Sequence, residues 1–280
     1  MGRHLLLISN PGNPNDKNYV KTTEEAINRW ESFFRSPIGG YWQDNEISRY
    51  GESRPITPDA IKRLMIPLNT VQCEYSIIVF CGHGGCTLDN QDAIQLPIPS
   101  TGDCRLLPVD ALLGEGLPFV RRTVILDSCR SLIPFASTQL FEDKQFSSIY
   151  KTDGIECGKY YNDIVMQASP HVEVLYSTSE HHKAFASKEG SAYTDAMSNL
   201  VRMKSLWWKS LAINDRFGMY CYSMCDLHKD ITSDLVGRNL QTPDYRIIGQ
   251  ANRSYPFVAM HLPTDRTIFT DGAVIEILED

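Results

Sequence analysis

Two short apolar runs constrain the fold more than any other feature of this sequence. Residues 76–81 read Ser-Ile-Ile-Val-Phe-Cys, and residues 123–126 read Thr-Val-Ile-Leu. Both are rich in β-branched residues and too short for a helix, so each predicts a strand that is buried on both faces of a sheet. The first run leads into residues 82–85 (Gly-His-Gly-Gly), and the second leads into residues 127–131 (Asp-Ser-Cys-Arg-Ser). Polar and reactive side chains therefore begin where the burial of each strand ends.

His83 and Cys129 occupy equivalent positions after these two strands. The carboxyl ends of parallel strands meet at one edge of a sheet, which is where open α/β sheets bind ligands. The glycines beside His83 allow a sharp turn and a close approach of the backbone. A cysteine at a strand end, considered alone, is more often a small buried hydrophobe. The glycine-flanked histidine at the neighbouring strand end instead favours a reactive pair.

The order of the other elements predicts an α/β fold. Strands are expected at residues 5–9, 172–176 and 256–262, and a hairpin is expected at the sheet edge within residues 88–99. Helices are expected after Thr22, after Thr57, and at residues 108–113, 160–166, 192–203 and 219–235. Alternation of strands and helices indicates right-handed βαβ units. The pattern therefore predicts a mainly parallel sheet.

Length, charge and cysteine content limit the class of protein. A chain of 280 residues can bury one large core, so we expect a single domain over residues 1–280, with 263–280 as a small extension carrying a hairpin. A formal charge of −7 without a long basic run argues against a nucleic-acid surface. The absence of a signal-like start or a twenty-residue apolar stretch predicts a cytoplasmic protein without membrane contact. The eight cysteines are expected to be reduced thiols.

The two motifs resemble those of a known family. Residues 80–85 are similar to the "SGHG" motif, and residues 127–131 to the "DSCHSG" motif, of caspase-like cysteine peptidases, nearest to metacaspases. Further similarity to the family's substrate-binding strand, its "GxFT" helix start and its "QTP" turn lies at residues 177–180, 190–194 and 241–243. Arg130 stands where metacaspases have His, although caspases carry Arg there. The resemblance implies a caspase-like six-stranded, mainly parallel sheet with helices on both faces.

The resemblance also implies a cysteine endopeptidase. Cys129 would be the nucleophile and His83 the general base, because a thiolate assisted by an imidazole can form an acyl-enzyme. The main-chain N–H groups of Gly84 and Cys129 could form an oxyanion hole. The acid that matches Asp127 in metacaspases implies cleavage after Arg or Lys, and a partly buried carboxylate also suits a cationic partner. The alternative is that Asp127 pairs with Arg130 or a backbone N–H.

Substrate contacts and regulation follow from the same resemblance. Ser177 and Thr178 are expected to bind the substrate, which would be a protein with Arg or Lys at the cleavage site. We expect activation by a partner protein, an ion or proteolysis, with self-cleavage at Lys144 or Lys151 in a mobile loop at residues 133–153. The stand-alone form is similar to prokaryotic relatives with roles in defence or cell death. The alternative function is a catalytically silent homologue that acts as a regulated protein-interaction module.

Metal and cofactor sites are not predicted. Two sets of residues could suggest a metal site, but neither has a clear fourth ligand. The first set is Cys81, His83 and Cys86. The second set is Cys221, Cys225 and His228, which are expected on one helix face, and for this set core packing is favoured over metal binding. Calcium activates many metacaspases, but the scattered acids form no EF-hand pattern: Glu142, Asp143 and Asp153. No nucleotide-binding motif is present in the sequence. His181 and His182 are weaker alternatives to His83 as the base.

Overall fold

The computed structural model describes residues 1–12, 19–20, 22–51, 53–87, 91–97, 104–114, 116–130, 153–184, 186–187, 190–214, 219–261, 267–270 and 273–276. The strands are β1 (Arg3–Asn10), β2 (Ile47–Tyr50), β3 (Tyr75–Gly82), β4 (Gly84–Cys86), β5 (Asp92–Pro97), β6 (Cys104–Pro108), β7 (Arg122–Ser128), β8 (Val172–Tyr176), β9 (Ala186–Ser187), β10 (Gly190–Ser191), β11 (Met219–Ser223), β12 (Asp244–Ile248), β13 (Pro256–His261), β14 (Thr267–Thr270) and β15 (Ala273–Glu276). The helices are α1 (Thr22–Arg35), α2 (Pro58–Leu68), α3 (Asp110–Leu113), α4 (Gly154–Gln167), α5 (Ala192–Asn214) and α6 (Met224–Gly237).

The central sheet has six strands in the order β12-β8-β7-β3-β1-β2. Every neighbouring pair is parallel except β12 and β8 at one edge. The predicted mainly parallel six-stranded sheet is therefore confirmed. The two strands predicted from the apolar runs, β3 and β7, are adjacent at its centre, and nearly every residue in them is buried.

Helices cover both faces of this sheet, as the resemblance implied. One face packs against α1, α4, α5 and α6 in a core that is rich in aromatic side chains, including Trp30, Phe34 and Phe257. The opposite face packs against α2 and α3 in a core of aliphatic side chains. The predicted start of α2 is confirmed, because the Thr57 hydroxyl accepts a hydrogen bond from the Ala60 N–H at 3.2 Å.

A second sheet begins one residue after His83. The antiparallel strands β4, β5 and β6 form it in sequence order, where we had expected a hairpin at the edge of the main sheet. Because β4 continues directly from the end of β3, this small sheet stands beside the carboxyl ends of the central strands. It brings Asp92, at the start of β5, toward the site described below.

Two predictions about the C-terminal half are wrong in detail. Residues 219–235 are not one helix, because β11 precedes α6 and the Ser223 hydroxyl caps α6 by accepting the Asp226 N–H at 3.1 Å. The last predicted strand is confirmed as β13, which pairs with β11. The expectation that Cys221 and Cys225 share one helix face is also wrong, because Cys221 lies in β11 and Cys225 lies in α6.

The predicted hairpin in the C-terminal extension is confirmed as the antiparallel pair of β14 and β15. None of the eight cysteines forms a disulfide bond, which confirms the expectation of reduced thiols. Within the described ranges, no helix is long and apolar enough to cross a membrane.

Arg122 is a fully buried cation at the start of β7, with 0% of its surface exposed. Its guanidinium donates to the carbonyl of Leu68, the last residue of α2, at 2.9 Å. It also donates to the carbonyl of Leu112 in α3 at 2.9 Å. It also donates to the Ser76 hydroxyl at 2.8 Å and to Asn69 Oδ1 at 3.0 Å. Burial lowers the pKa of Arg122 to about 10. The side chain stays charged at neutral pH and joins two helix ends to the central strands.

We predict that Arg122→Ala lowers the free energy of unfolding by about 3 kcal/mol, because it leaves several buried acceptors without donors. Urea denaturation at neutral pH measures the change. Arg121→Ala is the matched control, because the half-buried Arg121 gives a hydrogen bond to the Ala168 carbonyl at 3.1 Å. Equal losses in the two variants would contradict this account of Arg122.

Candidate active site

The register between β3 and β7 brings His83 and Cys129 to one edge of the sheet. Gly82 and Ser128 are directly opposite each other at the carboxyl ends of the two parallel strands. His83 and Cys129 are the first residues after these two strands, and adjacent strands lie roughly 4.8 Å apart. The two residues therefore follow neighbouring strands at the same edge of the sheet.

Glycines on both sides of His83 let its loop pack closely on the neighbouring strands. A Cβ atom on Gly82 would lie 2.5 Å from the Asn10 carbonyl oxygen. A Cβ atom on Gly84 would lie 2.6 Å from Ser128 Oγ and 3.0 Å from the Cys129 carbonyl oxygen. A side chain at position 84 would push the histidine loop away from Cys129, and one at position 82 would push it away from β1.

The main chain of His83 is also fixed from the side of the small sheet. The His83 carbonyl accepts the Gln95 N–H at 2.8 Å. The buried Asn10 side chain in turn donates to the Gln95 carbonyl at 2.5 Å. Asn10 and Gln95 were not identified from the sequence, although Asn10 begins a turn-rich stretch at a strand end, where such supporting residues are common.

Cys129 is half-buried beneath residues of the loop that follows β8. The Ala184 N–H donates to Cys129 Sγ at 3.3 Å, and the Sγ atom lies 3.9 Å from the Ala184 carbonyl oxygen. Burial raises the pKa of the Cys129 thiol, and the Ala184 hydrogen bond and the charge of Lys183 oppose this effect in part. In this arrangement the sulfur is therefore mainly a thiol at neutral pH.

We call residues 178–184 the covering segment, because its last residue contacts Sγ. The Arg130 N–H donates to the His182 carbonyl at 2.9 Å, and the His181 N–H donates to the Arg130 carbonyl at 3.0 Å. The Thr178 hydroxyl closes the segment on itself by donating to the Lys183 carbonyl at 3.5 Å. His181 has φ = 63°, a left-handed conformation that is uncommon for a residue with a side chain.

The two histidines of the covering segment are exposed. The His182 ring bonds within the segment, lying 3.2 Å from Ser179 Oγ and 2.7 Å from the Glu180 carbonyl oxygen. Neither ring is hydrogen-bonded to Cys129 Sγ in the described structure, whereas His83 directly follows β3 and its neighbour Gly84 packs on the Cys129 backbone. The arrangement thus favours His83 over His181 and His182 as the base.

Arg130 connects the cysteine loop to three distant segments. Only 4% of the residue is exposed, and its guanidinium bonds both oxygens of Asp92, at 2.9 and 2.8 Å. It also bonds Asp244 at 2.8 Å and Glu180 at 3.2 Å, and it lies 3.9 Å above the centroid of the Tyr176 ring. Burial lowers the pKa of Arg130, but Asp92 and Asp244 together outweigh this effect and raise the pKa above its ordinary value.

Asp127 lies beneath the site and does not pair with Arg130 in the described structure. Its Oδ2 atom accepts hydrogen bonds from the hydroxyls of Ser191 and Thr194, the latter at 2.6 Å. Burial raises the pKa of Asp127 to about 6, the two hydroxyls oppose this effect, and the charge of Asp195 adds to it. The Oδ1 atom is buried and has no hydrogen-bond partner among the described residues.

Ser177 and Thr178 lie next to this carboxylate in a tightly bonded part of the chain. The Ser177 hydroxyl accepts the Ser128 N–H and donates to the Ser128 carbonyl, both at 3.2 Å. Its carbonyl accepts from the side chain of Gln241 at 2.6 Å, which puts the residues of the "QTP" motif beside the site. The Thr178 carbonyl accepts from Arg130 at 3.5 Å. Ser177 therefore ties β8 to the end of β7.

The remaining sequence candidates contribute little to this site. Cys81 is buried, and Cys86 donates to Asp92 at 3.3 Å. No group of three or more potential metal ligands is found in the part of the chain that the structure describes. Asp153 caps α4 by accepting the Ile155 N–H at 2.9 Å. Four residues named in the sequence analysis lie outside the described residues: Lys144, Lys151, Glu142 and Asp143.

Comparison with solved structures identifies the fold. The crystal structure of caspase-1 from Spodoptera frugiperda matches with a TM-score of 0.51 and 8% sequence identity, over 88% of this chain and 87% of that chain. A protein from Geobacter sulfurreducens matches with a TM-score of 0.53 and 15% identity, over 89% of this chain and 94% of that chain. No protein-family model and no curated protein sequence matches the chain. At these identities the likeness shows the fold alone, which is caspase-like.

We predict that Arg130→Lys lowers the free energy of unfolding by about 2 kcal/mol. An ammonium group cannot reproduce the two-pronged contact with Asp92 while also bonding Asp244, so buried acceptors lose donors. Arg238→Lys is the control, because Arg238 forms an exposed pair with Asp234 on α6 and should change stability by less than about 0.5 kcal/mol. Guanidinium denaturation compares the two variants, and a loss of similar size in both would exclude a special role for the Arg130 contacts.

Asp127 should also influence stability in a pH-dependent manner. Its folded-state pKa of about 6 exceeds the ordinary value of 3.8, so the stability linked to its protonation is present below about pH 4 and is lost as the pH rises through 6. We predict that Asp127→Asn removes this loss and raises the free energy of unfolding at pH 7.5 by roughly 1–2 kcal/mol. Thermal or urea unfolding between pH 4 and 8 measures it.

Asp59→Asn serves as the control for this measurement, because Asp59 is an exposed acid in the first turn of α2. Its pH profile should follow that of the wild type. Parallel profiles for wild type and Asp127→Asn would mean that Asp127 does not titrate as its burial requires.

Proposed function

We propose that this protein is a cysteine endopeptidase that cleaves after Arg or Lys. The observation that carries the proposal is the register of β3 with β7, which brings a glycine-flanked imidazole and a thiol to the same edge of a caspase-like sheet. In the proposed reaction, His83 takes the proton of the Cys129 thiol, and the thiolate attacks the carbonyl carbon of the substrate.

The proposed reaction then proceeds through an acyl-enzyme. The carbonyl oxygen gains negative charge and is stabilised by the N–H groups of Gly84 and Cys129. His83 returns its proton to the departing amine, and the C–N bond breaks. A water molecule, deprotonated by His83, attacks the thioester and releases the carboxylate product with regeneration of the thiol. The close packing of Gly84 on the Cys129 backbone supports this assignment, because it holds the main chains of the two donor residues next to each other.

Asp127 is the proposed recognition residue for the cationic side chain before the cleaved bond. It lies in β7, two residues before Cys129, and its Oδ1 atom is a buried acceptor without a described partner. A substrate ammonium or guanidinium would supply the missing donor and a compensating charge. Ser177 and Thr178 are proposed to line the same subsite, which accords with the contact of Ser177 with the Ser128 backbone.

The covering segment supports a resting form that requires activation. A substrate carbonyl can reach Sγ only after Ala184 has moved away, and the thiol must lose its proton more readily than it does under this cover. A substrate strand could replace the two main-chain bonds of Arg130 with His181 and His182, so the exchange of hydrogen bonds would have a small net cost. Release by a partner, an ion or self-cleavage at Lys144 or Lys151 is part of the proposal, and a role in defence or cell death rests on the sequence resemblance.

We expect Cys129→Ala to abolish cleavage of fluorogenic peptides with Arg or Lys before the reporter group, while the folded state persists. Cys104→Ala is the matched control, because Cys104 is exposed on β6, and it should retain wild-type activity. Fluorescence release and circular dichroism provide the two readouts. Equal activity in the wild type and Cys129→Ala would rule out the proposed nucleophile.

A catalytically silent interaction module is the second candidate, and the contact of Ala184 with Sγ favours it. A chloromethylketone with an Arg side chain distinguishes the two functions by intact-protein mass spectrometry. Selective alkylation of Cys129, absent in Cys129→Ala and unchanged in Cys104→Ala, supports the peptidase. Alkylation of Cys129 no faster than that of the exposed Cys104 supports the silent module.

A further inference from the structure

The two oxygens of the Asp127 carboxylate have unequal surroundings. Oδ2 accepts from two hydroxyls, those of Ser191 and Thr194. A carboxylate oxygen has two lone pairs in its plane, so both are engaged. Oδ1 is buried and lacks a partner in the described part of the chain. The carboxylate can therefore present one oxygen, rather than two, to a further donor.

The two hydroxyl donors are themselves held in place. The Ser191 hydroxyl accepts the Thr194 N–H at 3.0 Å at the start of α5, while it donates to Asp127. The Thr194 hydroxyl accepts the Trp30 indole N–H at 2.9 Å, which leaves its proton directed to Asp127. Rotation of the carboxylate would break both bonds, so Oδ2 remains occupied while these contacts persist.

The Ser177 hydroxyl is also close to this carboxylate and favours its charged form. Its two hydrogen bonds at 3.2 Å nevertheless go to the backbone N–H and carbonyl of Ser128. Of the three nearby hydroxyls, that of Ser177 lowers the pKa of Asp127 least, and Oδ1 has no hydrogen-bond partner in the described structure. The free acceptor capacity remains on the oxygen that is not bonded to α5.

Lysine and arginine differ in how many oxygens they require. A guanidinium binds a carboxylate best through two parallel N–H bonds to two oxygens, whereas an ammonium is a compact charge that can bond a single oxygen. We propose, on the basis of the proposed endopeptidase function, that Ser191 and Thr194 are specificity-determining residues that make the site prefer Lys over Arg. By occupying Oδ2, they deny the guanidinium its second oxygen.

The test compares two fluorogenic peptides that differ only in Lys or Arg before the cleaved bond. We expect wild-type kcat/KM to favour the Lys peptide at least fivefold. In Thr194→Val, which keeps the shape but loses the hydroxyl, the ratio should fall toward one or reverse. Thr194→Ser retains the hydroxyl and should retain the ratio. Ser191→Ala and its control Ser191→Thr repeat the comparison if Thr194→Val does not fold.

The pH profile provides a readout that a merely structural role would not change. Loss of a hydroxyl donor to the charged carboxylate should move the acidic limb of kcat/KM to higher pH in Thr194→Val and leave it in place in Thr194→Ser. A general loss of structure would instead lower kcat/KM for both peptides by the same factor. Such a uniform loss, with an unchanged ratio and acidic limb, would overturn the inference.

Failure of this inference can be told apart from failure of the proposed function. Cleavage of both peptides with a wild-type preference for Arg, or with the same ratio in all variants, overturns the role of Ser191 and Thr194 and leaves the peptidase intact. No cleavage of either peptide above the Cys129→Ala background, under conditions where the protein is folded, overturns the proposed function and this inference with it.

Discussion

The pairing of β3 with β7 is the constraint on which the rest of the site depends. Both strands are buried on both faces, so their apolar side chains fix the register. Side chains alternate along a strand, so a slip by one residue would turn Asp127 from the face covered by α5 to the face covered by α2 and α3. The position of Cys129 relative to His83 would be lost in the same step. Core packing therefore determines the geometry of the site.

The guanidinium of Arg130 connects the end of β7 to three segments that are distant in the sequence. Burial of a cation is costly, and here carboxylates from β5, from the start of β12 and from the covering segment offset that cost. The main chain of the same residue bonds the covering segment through His181 and His182. Arg130 thus joins the cysteine loop both to the framework and to the segment above it.

The sequence was sufficient for elements whose burial is complete and insufficient for those whose burial is partial. The strands β3, β7 and β8 carry unbroken apolar runs, and the start of α2 carries a Thr-Pro cap. The edge strand β2 was missed because all four of its residues are only half-buried, and β12 was missed because it alternates weakly. The partners of Arg130 were missed for another reason: Asp92 and Asp244 lie 38 and 114 residues away, and no local pattern connects them.

Under the proposed function, the surroundings of Asp127 balance the stability of the free protein against recognition of a charged side chain. Complete burial without donors would keep this carboxyl neutral at physiological pH, and a neutral acid attracts no cation. A full set of donors would hold it ionised but leave no acceptor for a substrate. The two hydroxyls at the start of α5 provide an intermediate state, in which the pKa is about 6 and one oxygen remains unpartnered among the described residues. The unpartnered oxygen lowers the stability of the free protein, and a bound cation would remove this loss of stability. The same feature that lowers the stability of the empty site would thus strengthen its hold on a charged side chain.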